Sequence, residues 1–241
     1  MPSQNVFFRD LGKMEYQAAW DYQEELLAKN VEIKTQKRRN ESEGEVLTAI
    51  EPDTTHHLLF VEHPPVYTLG KSGKIENVLI SEQERKEKEL AFFRINRGGD
   101  ITFHGPGQIV AYPIFDLEKF YTDIGRYMRD LEEVIIRTLG DYGLRADRSP
   151  GETGVWLDPG IKGKERKICA IGIRCSRWIT MHGLAFNVNT NLDYFNNIIP
   201  CGIQNKQVTS LNRELSREMN MIEVKEKVKK YFGEVFNVEI V

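Results

Sequence analysis

The sequence has little cysteine, no long apolar run and no excess of either charge. Its three cysteines, Cys169, Cys175 and Cys201, are too few and too uneven in number for a disulfide framework in 241 residues. A reducing, cytoplasmic setting is the expectation, in which a thiol is either core filler or a nucleophile. No stretch approaches the ~18 consecutive apolar residues of a membrane span. The opening MPSQNVFFRDLGKMEY lacks the basic head and apolar stretch of a secretory signal. Lys and Arg number 33 against 36 Asp and Glu, a formal net charge of −3, so nothing general favours nucleic acid as a partner. The cysteines and histidines lack the close pairing of a structural zinc site. No internal repeat or low-complexity tract occurs.

What is present is an ordinary globular composition, 40% apolar and 29% charged, long enough for one large domain. Residues 4–10 read as a first strand. Met14, Ala18, Tyr22 and Leu26 recur at helical spacing over 14–29. The polar stretch 30–56 extends that helix in part and otherwise reads as an exposed insertion. HLLFVE (57–62) is a buried strand stopped by His63-Pro64-Pro65, where the second proline holds Pro64 extended. A short helix is expected over 81–90, then strands over 91–97 and 108–115. Ile124, Met128, Leu131, Ile135 and Leu139 mark a helix within 118–142, ended by Gly140 and Gly143. Strands follow at 153–158, 167–175 and 178–188, and an amphipathic helix at 222–236. Strand runs broken by long helices predict an α+β fold, a mixed sheet flanked by helices.

The most unusual segment is Arg97-Gly98-Gly99-Asp100-Ile101-Thr102-Phe103-His104-Gly105-Pro106-Gly107-Gln108. Its glycines and proline make two tight turns around a short strand. Glycine admits a ligand close to the backbone, and exposed N–H groups in such turns can hold an oxyanion or a thioester carbonyl. Arg97 adds fixed charge, and His104 can donate, accept or titrate. The alternative is a pair of hairpins whose glycines serve turn geometry alone. A nucleotide phosphate loop is excluded, because no Lys-Ser/Thr ending leads into a helix.

Cys169 and Cys175 are six residues apart in an apolar strand, so both should face one side as core thiols. Cys201 differs, standing between Pro200 and Gly202 at the end of an apolar pair. A loop thiol of this kind is more often structural, and becomes reactive only beside a group that stabilises the thiolate. Lys167 opens the KICAIG strand. Desolvated beside Cys201, it would favour the thiolate as an ammonium or accept protons as an amine. His182, inside an apolar strand, reads as a satisfied core histidine.

Taken in order, HPPVYTLGK, RGGDITFHGPGQIVAYPI, KICAIGIR, MHGLAFNV and IIPCGI resemble the octanoyltransferases of lipoate biosynthesis over roughly residues 58–211. The resemblance implies one catalytic domain over 1–241 on the fold of biotin protein ligases and lipoate ligases. It implies Cys201 as the acyl-thioester nucleophile and Lys167 as the lysine that lowers its pKa. It also implies acyl-substrate contacts from Arg97, Gly98, Gly99, Asp100, Ile101, Thr102, Phe103 and His104. Ala170, Ile171 and Gly172, with Gly183, Leu184 and Ala185, supply two further stretches. Asp100 stands where a more variable residue belongs in this family. The implied partners are octanoyl-acyl carrier protein as donor, and the lipoyl domains of 2-oxoacid dehydrogenase complexes and glycine cleavage H protein as acceptors. Neither nucleic acid nor membrane is implied, and no cofactor. Glycine-loop N–H groups would stabilise the oxyanion. Because the family's protein substrates are acidic, Lys162, Lys164 and Arg166 form a candidate docking patch. The competing readings are an ATP-dependent lipoate or biotin ligase on the same fold, and a non-catalytic carrier-protein binding module.

Overall fold

The computed structural model describes residues 4–43, 52–199 and 207–241. Its elements in chain order are β1 (Gln4–Lys13), α1 (Tyr16–Glu43), β2 (His56–Glu62), β3 (Val66–Leu69), α2 (Glu82–Glu87), β4 (Ala91–Arg94), β5 (Ile101–His104), β6 (Gln108–Ile114), α3 (Ile124–Gly140), β7 (Ala146–Ser149), β8 (Glu152–Leu157), β9 (Arg166–Ser176), β10 (Ile179–Asn187), β11 (Gln207–Val208), α4 (Leu211–Leu215), α5 (Met221–Phe236) and β12 (Val238–Ile240). The large sheet has the order β12-β1-β2-β6-β10-β9-β8-β7, with β11 joined to β9 off that path. β1 runs parallel to β12 and β2, and β11 parallel to β9; the pairs from β2 through to β7 are antiparallel. A small second sheet has the order β4-β3-β5. This is the mixed sheet with flanking helices that the sequence predicts.

Strand alternation divides the core into two layers. Ile109 and Ala111 of β6, with Leu184 and Phe186 of β10, pack against α3 and α5. Val110, Tyr112 and Ile114, with Met181 and Ala185, pack against Ala19, Leu26 and Leu27 of α1. A sheet covered on both faces explains why β6 and β10 read as continuous apolar runs.

The buried stripe of α1 is Tyr16, Ala19, Gln23, Leu26, Leu27, Asn30 and Lys34, displaced from the Met14, Ala18, Tyr22 spacing. Its polar members find partners. Gln23 Oε1 accepts from the His182 N–H (2.9 Å), and Asn30 pairs with both backbone groups of Thr55. Lys34 reaches Asp116 and Glu118, each at 2.7 Å. Within the stretch expected as an exposed insertion, residues 30–43 are thus helix, anchored by Asn30 and Lys34, and His56 already belongs to β2. α3 begins at Ile124 rather than 118, because the Asp123 side chain caps it by accepting from the Arg126 N–H. Among the described residues no helix is long and apolar enough to cross a membrane.

Candidate active site

The small sheet and the 97–108 loop lie over β9 and β10 and leave between them a cavity of about 470 Å³. Arg97, Gly98, Gly99, Asp100, Ile101, Thr102, His104, Lys167, Ala170, Ile171, Gly172, Gly183, Leu184 and Ala185 all line it. Phe103 alone among the described candidates does not. Alternation along β5 sends its ring to the other side, stacked on Tyr194 at 4.6 Å in a separate apolar cluster.

The glycine loop is anchored at both ends. The Gly98 N–H donates to Ile173 O (2.8 Å) at one end of the cavity. A Cβ on Gly172 would stand 2.9 Å from Gly98 O and 3.1 Å from Arg97 Cδ, so the approach of loop to strand requires glycine there. Gly99 adopts a left-handed φ of +87°, which turns the chain back toward β5. Arg97, 7% exposed, donates through Nη2 to Thr68 O (2.7 Å) and Thr68 Oγ1 (3.0 Å), and through Nη1 to Gly98 O. Asp100 accepts from the Ile101 N–H, the Lys74 N–H and Asn77 Nδ2, which fixes the 74–77 turn. The N–H groups of Gly98, Ile101, Gly107 and Gln108 are all committed within the protein. These four donors hold the loop itself.

His104 starts a polar relay. Its Nδ1–H donates to Gln108 Oε1 (2.8 Å), leaving Nε2 to face Thr68 Oγ1 (3.4 Å). Gln108 Nε2 donates to Asn187 Oδ1 (2.9 Å), and Asn187 Nδ2 to Thr209 O (3.1 Å). The Thr209 N–H in turn donates to Lys167 O (2.9 Å). Burial, with His63 and Arg97 nearby, holds the His104 imidazole well below its ordinary pKa, so it is neutral and acts by hydrogen bonding. His63 is lowered to about 4 by burial and pairs with Met14 O and the Tyr112 hydroxyl.

His182 is only half satisfied, contrary to the core-histidine reading. A left-handed φ of +58° turns its ring so that Nε2 meets Asn96 Oδ1 (2.8 Å), while Nδ1 has no partner among the described residues. Burial, then the charges of Arg97 and Arg174, lower its pKa to about 3. Tyr16, Gln108, Tyr112 and Asn187 also line the cavity. Their signal in the sequence is a polar residue inside an otherwise apolar strand or stripe.

Lys167 stands at the opposite end. From Lys167 to Ile173 is six residues of β9, about 20 Å at ~3.3 Å per residue. Simple alternation would put Lys167 on the face of Cys169, inside the core. A bulge prevents this. Val155 pairs with Cys169 but the next residue, Trp156, pairs with Lys167, so Ile168 is extra. Ile168 and Cys169 both enter the core, and Lys167, 9% exposed, turns into the cavity.

Cys169 is buried in the core and Cys175 is half-buried; burial raises both thiols. Cys201 lies outside the described residues. The chain before it is placed by the Ile199 N–H donating to Asn77 O (2.8 Å). The chain after it is placed by β11, which pairs Val208 with Lys167. Of the basic run, Lys162 and Lys164 are exposed, but Arg166 is bound to Glu214 (2.7 Å) and Asp158 (2.5 Å) and is not open for docking. Among the described residues no group of three His, Cys, Asp or Glu side chains could hold a metal ion.

The sequence profile of the lipoyl protein ligase A/B catalytic domain matches residues 15–233. An octanoyltransferase of Christiangramia forsetii is 57% identical over 239 residues, covering 99% of this chain and 98% of that one. An octanoyltransferase of Flavobacterium johnsoniae is 54% identical over 240 residues, covering 99% and 100%. Among solved structures, the bi-partite lipoate protein ligase of Thermoplasma acidophilum matches with a TM-score of 0.65 at 15% identity, over 99% of this chain and 86% of that one. A lipoate-protein ligase A bound with ATP matches with a TM-score of 0.66 at 14% identity, over 99% and 87%. At such identities the likeness is one of fold. The chain belongs to the lipoyl protein ligase A/B catalytic-domain family and, within it, to the octanoyltransferases.

Proposed function

We propose that this protein moves an octanoyl group from octanoyl-acyl carrier protein to a lysine of a lipoyl-acceptor domain, through a thioester on Cys201. The observation that carries this reading is the bulge that aims Lys167 into one end of a long cavity, beside the strand that follows the Cys201 interval. The other two thiols support it by being unsuited, since burial raises both and the thiolate is the nucleophile.

The steps balance without a cofactor. The Cys201 thiolate attacks the thioester carbonyl, and a new C–S bond forms as the bond to the carrier's pantetheine sulfur breaks. Lys167 as an ammonium gives that leaving sulfur a proton. The acceptor lysine amine then attacks the acyl-enzyme, its proton passes to the Lys167 amine, and the Cys201 thiolate leaves. Thioester becomes amide, a downhill exchange that consumes no ATP. The apolar lining from Val110 and Ala185, on the sheet face that Gly172 and Gly183 share, takes the hydrocarbon chain, at about 0.8 kcal/mol for each buried methylene.

The test is a transfer assay with octanoyl-acyl carrier protein and a lipoyl domain, without ATP. The expected result is an octanoyl amide on the acceptor lysine. Transfer only from free octanoate with ATP, with release of pyrophosphate, would make the protein a ligase instead.

A further inference from the structure

Lys167 does more than reach the cavity, because its head group meets an aromatic ring and its stem passes over a glycine. Trp156 sits directly across from it in the β8–β9 register and is 2% exposed. The Lys167 Nζ stands 4.6 Å from the centroid of the Trp156 ring. Gly154, two residues earlier, shares the face of Trp156. A Cβ there would stand 2.5 Å from Cys169 O, and 3.4 and 3.5 Å from Lys167 Cε and Cδ. Gly154 has a φ of +116°, and Glu132 of α3 accepts its N–H at 2.9 Å. The lysine stem thus lies over a glycine pinned from below, and its ammonium lies over an aromatic face.

We infer that Trp156 is the positioning residue of Lys167, holding the ammonium over its ring at the end of the cavity where the thioester reacts. This rests on the proposed role of Lys167 and deepens it. A cation over the negative face of a desolvated indole is favoured electrostatically, and indole is the strongest of the aromatic faces. The contact also removes rotamer freedom from a four-carbon stem that would otherwise sample many directions. Other charged groups stand about the lysine. Glu132 is held by Arg129 (2.9 Å) and Arg148 (3.1 Å). Arg166 is held by Asp158 and Glu214, and Glu152 opens β8 on the cavity lining.

The test compares Trp156→Leu, Trp156→Phe and a site-specifically fluorinated tryptophan at 156. Fluorination drains the ring face without changing its shape, so it remains informative where the leucine variant fails to fold. The readouts are the pH profile of alkylation at the Cys201 peptide, followed by mass spectrometry, and kcat against KM for octanoyl transfer. Trp156→Leu should move the alkylation profile upward by about one pH unit and lower kcat about tenfold with KM little changed. Trp156→Phe, which keeps an aromatic face, should fall between it and the wild type, and fluorination should shift the profile in graded steps. Lys167→Met run alongside separates the two claims. An unchanged profile in Lys167→Met would remove the lysine from the thiolate role. A shifted profile in Lys167→Met, with none in the fluorinated series or in Trp156→Leu, would leave the lysine in place and overturn the role of Trp156.

Discussion

The two ends of the cavity are built from opposite materials. At the Lys167 end a cation rests on Trp156, on a strand whose regular alternation is broken by a bulge. At the far end Arg97 is consumed by Thr68 and Gly98, and His182 is uncharged. His104, which ties the glycine loop toward Asn187, is uncharged as well. The far end offers shape and the near end, on the proposed role of Lys167, offers a proton. A buried polar group is costly unless paired, so the fold concentrates hydrogen bonds at the far end and rests the charge of the near end on an aromatic ring.

Substitutions can break this contrast. The largest effect is expected at the chemical end, where Lys167→Ala should lower octanoyl transfer by about 10²–10⁴-fold while the urea midpoint changes little. A substitution of Arg97 by Lys keeps the charge but loses the forked donors. It should cost about 1.5–3 kcal/mol in urea unfolding and weaken acyl-donor binding, with the alkylation profile of Cys201 unmoved. Gly183→Ala would place a Cβ 2.2 Å from Ala111 O and 2.7 Å from Pro113 Cδ, and should cost about 1–3 kcal/mol by the same measurement.

A further effect concerns acid. His63 and His56 are lowered to about 4 and His182 to about 3, each by burial first. Unfolded, each titrates near ~6.5 and so binds protons that the folded chain refuses. Their contribution to stability is complete above about pH 6.5 and is lost as pH falls toward 4 and then 3. Thermal unfolding should show Tm falling over that range, by about 2–4 °C for each kcal/mol. A Tm flat from pH 7 to 4 would contradict the neutral, buried imidazoles.

Much of the frame was legible in the sequence, because period and punctuation carry it. The strands at 57–62, 108–115, 167–175 and 178–188 and the helix at 222–236 appear near where their apolar patterns put them. The motif residues from Arg97 to Ala185 meet around one cavity, Phe103 excepted. Other features depend on contacts that a linear pattern does not contain. The face of α1 is offset because Gln23, a polar residue, is buried to satisfy the His182 N–H. The bulge at Ile168 is invisible in KICAIG, yet it decides which way Lys167 points. Arg166 looked like part of a docking patch until Glu214 and Asp158 closed on it across the fold. His182 looked like core because its left-handed backbone leaves no trace in its neighbours.

The central claim is that the chain carries its acyl group on Cys201. Mass spectrometry of the whole protein after brief mixing with octanoyl-acyl carrier protein, without acceptor, measures this most directly. The account predicts a single octanoyl adduct that maps to the Cys201 peptide and is absent from Cys201→Ser. Transfer to a lipoyl domain by Cys201→Ser at the wild-type rate, with no adduct on either protein, would contradict it.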